Sequence, residues 1–505
     1  MNKDSTFLLA TAALFLTGAV GCEVGPNYRP PQVSVPDRFS PATQPATEPA
    51  TQPSAVDLGR WWQTFHDPML ERLVARGVSA NYNVQLAEAR VRQARAQVDY
   101  STAALFPTAN ALGSFTRIRS SNNLSGAGVT GGTSASTGTS LFTHGTTNFF
   151  QAGFDAAWEL DVFGGTRRQI ESSLASLEAQ IEARRDALVT LTSEVANDYV
   201  LLRGYQQELR IAQDNARTQR NTLELQQMKL GVGLTTALTI AQAEAQVAST
   251  ESAIPPLQTL IEQMNQALAV LLDLPADDLR KELGPAGSLP VGPEAIPAGL
   301  PSELVRRRPD VRQAERQLAA ATANIGVAVA QLFPQFSLTG SLGLESTALK
   351  TLGNSSSVFG AAGPSVTWNI FDAGQIQANI RIQNALQEQA LVQYRQSVLQ
   401  AMADVNNALT AFNREQAHRR LLQRAVEANR RSVDLSLRLN QAGVVDFLNV
   451  LTAQQSLYQS QDQLEQSEQT VSTDLIALYK ALGGGWEGSE QAAVQSADAA
   501  LGADK

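Results

Sequence analysis

A strand with the pattern of a membrane segment runs directly into a very long helical segment, and this pair occurs twice. Between residues 149 and 160, apolar side chains alternate with polar or small ones, which is the period of a strand with two different faces. The run is long enough to cross a bilayer as a tilted strand of about 9–11 residues. Gly164 and Gly165 end it, and no proline follows until Pro255. A second copy begins near Val358 and is again followed by a proline-free run.

The composition favours long helices and argues against several classes of partner and site. Of the 505 residues, 17% are charged and 6% are aromatic, which fits extended helices better than a sandwich or barrel core. The net charge of −9 and the lack of a basic stripe argue against nucleic-acid binding. The single cysteine excludes an intrachain disulfide, and the three histidines lie far apart. We expect no metal and no cofactor, and without phosphate-loop or nucleophile motifs an enzyme is the weak alternative.

The N-terminus has the features of a secretory leader that ends in front of the only cysteine. Residues 1–21 contain Lys3, an apolar run and a final group of small residues. Cys22 follows directly, as in a bacterial lipobox, where the cysteine is lipidated and becomes the mature N-terminus. We therefore expect a lipid anchor at Cys22. The alternative is an ordinary signal peptide with a free thiol.

Turn, cap and periodicity signals divide the chain into similar halves. Asp67 and Pro68 fit an N-cap and a first helical position, and the helix that they start continues to about Leu105. The patterns then predict strands at about 108–119 and 149–160, a long helix at 166–231 and a shorter one from about 235 to 274, interrupted at Pro255. The second half repeats this plan with a helix at 303–332, strands at 336–345 and from 358, and helices at 375–442 and 446–482.

The repeat is visible as constant offsets between matching residues. Trp158 and Trp368 differ by 210 positions, and Phe106 and Phe333 differ by 227, so the first hairpin loop is longer by 17 residues. We divide the chain into a signal peptide (1–21), an extended lipid-anchored tether (22–60), a first repeat (61–274), a crossover linker (275–301), a second repeat (302–482) and a disordered tail (483–505).

Four membrane strands require several chains. Open sheet edges in lipid leave backbone groups unpaired, which costs several kcal/mol for each group, and spanning barrels have at least about eight strands. A dimer would supply eight strands and a trimer twelve, and only the wider barrel leaves room for an aqueous lumen. Asp155 and Glu159 would face that lumen. The alternative is a soluble coiled-coil protein with short surface hairpins.

Several motifs occur in the order found in one known family. The stretches CEVGPNYRPP, WWQTFHDPMLERLV, LPSELVRRRPDVRQAE, IGVAVAQLFPQFSLTGSLG and WNIFDAG resemble the TolC-like outer-membrane efflux factors, in particular their lipoprotein (NodT-type) branch. The resemblance covers Cys22 to about Trp486. It implies an α+β membrane protein, a homotrimer whose twelve-stranded transmembrane β-barrel (four strands per chain) is continuous with a long periplasmic α-helical barrel. It also implies a periplasmic adaptor protein, an inner-membrane pump, typically of the resistance-nodulation-division class, and outer-membrane lipid as partners.

The resemblance also assigns roles to the turns after the two long helices. In family members these turns form the periplasmic mouth and the adaptor-docking surface, here Gly231, Gly233, Thr236, Gly443 and Val445. Relatives commonly close the mouth with a hydrophobic ring and carboxylate rings. Leu448 matches the hydrophobic position and Asp446 keeps its carboxylate, whereas the other gate positions carry Thr239, Thr452 and Gln455. We therefore expect closure to depend on Leu448 and helix packing, with weaker ionic help.

The expected function is that of an outer-membrane channel that exports small molecules from an adaptor and a pump to the outside. Two alternatives remain at this point: a conduit for type I protein secretion, and an envelope-spanning spacer that transports nothing.

Overall fold

The computed structural model describes residues 23–32, 57–119, 146–284, 287–294 and 306–488. Cys22, the long hairpin loop at 120–145 and the last part of the predicted tail lie outside these residues. The chain divides into two compact units. The first comprises residues 1–31, 92–178 and 315–392, and the second comprises residues 32–91, 179–314 and 393–505.

The described residues form nine α-helices and one four-stranded sheet. The first half contains α1 (Pro68–Ala80), α2 (Tyr82–Ala103), β1 (Thr108–Arg119), β2 (Thr146–Leu160), α3 (Gly165–Gly231), α4 (Ala237–Glu251) and α5 (Ile254–Leu272). After α6 (Ala276–Leu283), the second half contains α7 (Pro309–Ala330), β3 (Gln335–Ser346), β4 (Val358–Thr367), α8 (Gln375–Gln441) and α9 (Phe447–Ala481). In the described part of the chain, no helix is both apolar enough and long enough to span a bilayer.

The structure confirms the internal repeat at the level of element boundaries. Both ends of α2 and of β1 recur 227 residues later in α7 and β3, and both ends of α3 recur 210 residues later in α8. Even a single side-chain contact is repeated. The indole Nε1 of Trp158 donates to the carbonyl of Leu105 at 2.8 Å, and the indole Nε1 of Trp368 donates to the carbonyl of Leu332 at 3.1 Å.

The helix predicted from Pro68 to about Leu105 is in fact two helices, separated at Asn81. The predicted cap at its start is confirmed, because Asp67 Oδ1 accepts from the backbone N–H groups of Met69 and Leu70. Asn81 breaks the helix because its Oδ1 accepts from the N–H of Asn83 at 2.8 Å and so caps α2. Its Nδ2 also donates to the carbonyl of Leu271 at 3.0 Å, a contact across 190 residues of sequence.

Two segments predicted to lack packed structure are more ordered than expected. The proposed crossover linker contains α6, where Leu279 and Leu283, one helical turn apart, are both fully buried. The proposed disordered tail is predicted from residue 483, but residues 483–486 are buried. Trp486 is only 9% exposed, and the Arg185 guanidinium lies 4.6 Å from the centre of its ring.

The N-terminal tether also differs from the prediction, because its described part is extended but held by specific contacts. The Arg168 side chain, which is buried, donates through Nε to the carbonyl of Val24 and through Nη2 to Asn27 Oδ1. The Tyr28 hydroxyl donates to Glu315 Oε1 at 3.1 Å. The chain immediately after Cys22 is therefore fixed to α3 and α7 within the first unit.

The sheet is antiparallel with strand order β1-β2-β3-β4, and its register separates an apolar face from a polar face. The apolar face carries Phe115, Phe150, Phe154, Trp158, Leu338, Leu342, Val358 and Val366. The polar face carries Asn110, Gln151, Asp155, Glu159, Ser337, Thr339, Ser341, Glu345 and Ser365. Phe154 and Leu342 are opposite each other and both exposed within the chain, so this face requires an apolar environment outside the protein.

The core of the second unit is built around aromatic stacking. The Trp61 ring stacks on the Tyr479 ring with centroids 5.1 Å apart, and joins the start of the first repeat to the end of the last helix. Fully buried leucines surround this pair: Leu70, Leu188, Leu202, Leu268 and Leu272. Three arginines at 306–308 stand directly before α7. The last of them, Arg308, has a structural role, because it pairs with Asp310 at 2.7 Å and with Asp404 at 3.0 Å.

Two carboxyl groups are buried between α3 and α9. Gln469 Nε2 donates to the carbonyl of Leu201, and these antiparallel helices place Glu208 opposite Glu465, which are 6% and 7% exposed. Burial, with the nearby Asp462 carboxylate, raises the pKa of Glu208 to about 7. Burial, with the charges of Glu468 and Glu208, raises the pKa of Glu465 to about 7 as well. Both groups are therefore partly protonated at neutral pH.

Leu188→Ala should destabilise the second unit by about 2–5 kcal/mol, because the fully buried side chain leaves a cavity in a packed core. Leu188→Met, which keeps the volume, should cost less than about 1.5 kcal/mol. Thermal unfolding of the purified chain, followed by circular dichroism, measures both. Equal losses for the two variants would contradict the packing described.

Glu208 and Glu465 should make the fold more stable in mild acid. The folded pKa values of about 7 exceed the ordinary glutamate pKa of 4.5, so the folded state binds more protons than the unfolded state between these limits. Their contribution to the free energy of unfolding is complete below about pH 4.5 and is lost as the pH rises through about 7. Between these values, the free energy of unfolding changes by an amount on the order of 1.4 kcal/mol per carboxyl and pH unit. E208Q/E465Q should flatten the change in melting temperature between pH 5 and pH 8. E224Q, on an exposed part of α3, is the control and should retain the wild-type change.

Candidate functional site

The turns that follow α3 and α8 have the same geometry. Gly233 and Gly443 adopt positive φ angles of 78° and 73°, which favour glycine. In the first turn, the N–H of Gly233 donates to the carbonyl of Leu230, and the next N–H donates to the carbonyl of Lys229. The same two bonds recur around Gly443. Both long helices therefore end in a Schellman motif, which reverses the chain within a few residues.

The helices that leave these turns begin with different caps. Thr236 caps α4, and its Oγ1 accepts from the N–H of Thr239 at 3.3 Å. At the equivalent position, Asp446 caps α9 by its backbone, but its carboxylate makes no capping hydrogen bond. The Asp446 side chain is exposed and has no ion-pair partner among the residues that the structure describes. This carboxylate is thus available to groups outside the chain.

The two turns lie beside each other because the helices that follow them pack together. Ala243 of α4 is buried in one cluster with Phe447, Val450 and Leu451 of α9. The structure therefore brings together the residues that the resemblance assigned to the mouth, although they come from different repeats.

Several large apolar side chains remain exposed around the turns. Leu448 is 50% exposed, as a closing residue that meets other chains would be. Leu238, which lies 210 residues earlier and so occupies the equivalent position, is 67% exposed. The sequence reasoning missed Leu238, although the repeat offset applied to Leu448 identifies it. Three further exposed side chains flank the glycines: Val232, Leu234 and Val444.

The polar residues predicted for the gate are engaged mainly with their own helices. The Thr452 hydroxyl donates to the carbonyl of Leu448 at 2.9 Å, and the Thr239 hydroxyl lies 3.2 Å from that of Thr236. Gln455 is exposed. The roles of these residues in closure remain predictions. The contacts of both threonines are those of ordinary polar residues on a helix surface.

The remaining residues of the predicted docking surface line the turns. Gly231 is the last residue of α3 and is exposed, as is Thr236. Val445 is half-buried, and its carbonyl accepts from Asn440 Nδ2 at 3.0 Å, which ties the second turn to the end of α8. The turns therefore present a rigid backbone and exposed apolar side chains.

The predicted lumen residues belong to the sheet and not to the turns. Asp155 and Glu159 lie on its polar face, and Asn110 Nδ2 donates to Asp155 Oδ2 at 3.2 Å. Within the described ranges, no group of three or more His, Cys, Asp or Glu side chains is arranged to hold a metal ion.

Comparisons with known proteins agree on one family. The family model "Outer membrane efflux protein" matches residues 78–273 and 300–484. Nodulation protein T of Rhizobium leguminosarum bv. viciae is 32% identical over 99% of this chain and 98% of that protein. The pyoverdine export outer membrane protein OpmQ of Pseudomonas aeruginosa is 34% identical over 86% of this chain and 90% of that protein.

A solved structure extends the likeness to the whole fold. The outer-membrane channel OprN superimposes with a TM-score of 0.83 and 34% identity, over 92% of this chain and 100% of that one. The predicted fold class is confirmed as that of the outer-membrane efflux channels, mostly helical with a small antiparallel sheet, and so is the location in the outer membrane. This is a transport protein and not an enzyme. The chain belongs to the outer membrane efflux protein family.

Proposed function

We propose that this protein is the outer-membrane channel of a tripartite efflux system. Three copies form a passive conduit, and the turns after α3 and α8 receive a periplasmic adaptor. An inner-membrane pump of the resistance-nodulation-division class supplies small molecules, which leave through the barrel. Cys22, outside the described residues, carries the lipid anchor.

The observation that carries this proposal is the exposed apolar surface at the paired turns. Leu234 and Val444 directly follow the two positive-φ glycines and are both exposed, on a backbone held by Schellman hydrogen bonds. Exposed apolar groups on a rigid surface are typical of protein interaction sites. A conduit that connects to a second protein requires such a surface at its periplasmic end, whereas a spacer without partners does not.

The relatives favour small molecules as the cargo. OpmQ is described as a pyoverdine export protein, and pyoverdine is a small molecule rather than a secreted protein. The 34% identity to OpmQ extends over most of both chains. We assign the same class of cargo to this channel, with selection made by the pump and not by the conduit.

Closure of the periplasmic end rests on apolar contacts in this proposal. Leu448 and its repeat equivalent Leu238 supply two exposed leucines per chain next to the turns. Asp446 is the carboxylate that remains at the mouth, and Thr239, Thr452 and Gln455 offer hydrogen bonds without charge. Burial of a leucine side chain contributes about 1.5–3 kcal/mol, more than an exposed ion pair of at most about 1 kcal/mol.

L238S/L448S should therefore open the channel. Loss of about 1.5 kcal/mol or more of apolar contact per chain should raise the open population about tenfold or more. The measurement is susceptibility of cells to an antibiotic too large for general porins, together with single-channel conductance in planar bilayers. L421S removes an exposed leucine from α8 away from the turns and is the control. Unchanged permeability in the double variant, at equal protein levels, would refute apolar closure.

Cross-linking from the turns tests the partners. A cysteine at Thr236 or Val445 should capture a periplasmic adaptor in living cells, because both residues lie at the proposed docking surface. An adaptor that works with a resistance-nodulation-division pump supports the proposal. An adaptor of an ABC-driven exporter would instead indicate type I protein secretion, and capture of this protein alone would favour the spacer. A cysteine at Leu421, far from the turns in sequence, is the matched control and should capture no adaptor.

A further inference from the structure

Two arginines lie on the apolar face of the sheet, at the end away from the helices. In the β1–β2 register, Arg117 is opposite Asn148 and Arg119 is opposite Thr146. Both arginines are on the same face as Phe115, whose ring lies 4.7 Å from that of Phe150. This face points to lipid in an outer-membrane barrel. Arginine on a lipid-facing surface is costly at the middle of a bilayer and much less so at its boundary.

The length of the strand places these arginines at that boundary. Trp158 lies on the same face at the opposite end of β2, next to the helices. Tryptophan is enriched at membrane interfaces, so Trp158 marks the periplasmic interface of the strand. Along β2, Asn148 is ten residues from Trp158, and a tilted membrane strand has about 9–11 residues. Arg117 is therefore at the outer interface, and Arg119 is one step further out.

The segments that connect the strands at this end of the sheet have no acidic residue in their sequence, although the chain as a whole has a net charge of −9. Residues 120–145 and 347–357, which connect the strands at this end, contain no Asp or Glu but include Lys350. In the described part of the chain, neither Arg117 nor Arg119 makes an ion pair. On the lipid-facing side, no carboxylate of these segments is available to neutralise them.

We infer that Arg117 and Arg119 bind the phosphate groups of lipopolysaccharide, the phosphorylated glycolipid of the outer leaflet. The planar guanidinium presents paired donors that match phosphate oxygens, and the long side chain reaches the headgroup while its stem stays in the apolar layer. The site fixes the height of the barrel in the membrane at the end opposite to the lipid anchor. The lipid site requires only that the face with Arg117 and Arg119 points to lipid, and it is independent of the exported molecule.

Lipid binding by the purified full-length chain tests this inference. The probes are bis-phosphorylated lipid A, the same lipid A without phosphates, and phosphatidylglycerol, each titrated into the trimer in detergent. Wild type should bind bis-phosphorylated lipid A most tightly. R117Q/R119Q should bind it about thirtyfold more weakly, and removal of the lipid phosphates should weaken wild-type binding by a similar factor.

Two further variants separate the site from general charge and from folding. R92Q/R95Q removes the same charge from exposed positions on α2 and should bind like wild type. R117K/R119K keeps the charge but loses the planar paired donors. It should bind bis-phosphorylated lipid A several-fold more weakly than wild type, which tests the site even if the glutamine variant fails to assemble. The inference is overturned if R117Q/R119Q binds like wild type, if phosphate removal has no effect, or if phosphatidylglycerol binds equally well.

Discussion

The structure depends on one constraint, which is that every backbone group in lipid must find a partner. The four strands of this chain pair with each other, but β1 and β4 each leave one edge unpaired. An open edge costs several kcal/mol for each group in a bilayer, so the sheet is stable there only when β1 of one copy pairs with β4 of the next. Oligomerisation is thus a condition for insertion. On the proposed function, closing the ring turns the polar face with Asp155 and Glu159 inward, and this face lines the lumen.

The repeat shows which features the two halves share and which they do not. The two halves share their element boundaries and the hydrogen bond from a tryptophan indole, Trp158 or Trp368, to a backbone carbonyl. Both hairpins would cross the same bilayer and continue into equivalent long helices, so the same geometry is needed in each. The caps after the two turns are not kept. Thr236 bonds its own helix, whereas Asp446 at the equivalent position leaves its carboxylate free of a capping bond. The cap at the second turn is therefore one departure from the repeat that lies at the proposed docking surface.

The sequence predicted the elements that depend on local periodicity and missed those that depend on distant partners. The bounds of β1 and of the long helices were predicted to within about one residue, because alternation and proline-free runs are local signals. The break at Asn81 and the packing of Trp486 were missed, because Asn81 bonds a carbonyl 190 residues away and Trp486 packs on Arg185. At the site, glycine positions were predictable, but Leu238 became recognisable only through the repeat. The contacts between copies on which the proposed gate depends leave no periodic pattern in the sequence of one chain.

On the proposed function, docking and closure involve the same few residues, and this links them energetically. Leu234 and Val444 for docking lie within four residues of Leu238 and Leu448 for closure, on turns whose glycines fix the direction of α4 and α9. An adaptor that contacts the turns in only one orientation of these helices binds one state better than the other. That difference in affinity is what shifts a closed channel towards the open state. A shift from 1% to 99% open requires about 5.5 kcal/mol, which burial of two to four leucine-sized side chains supplies.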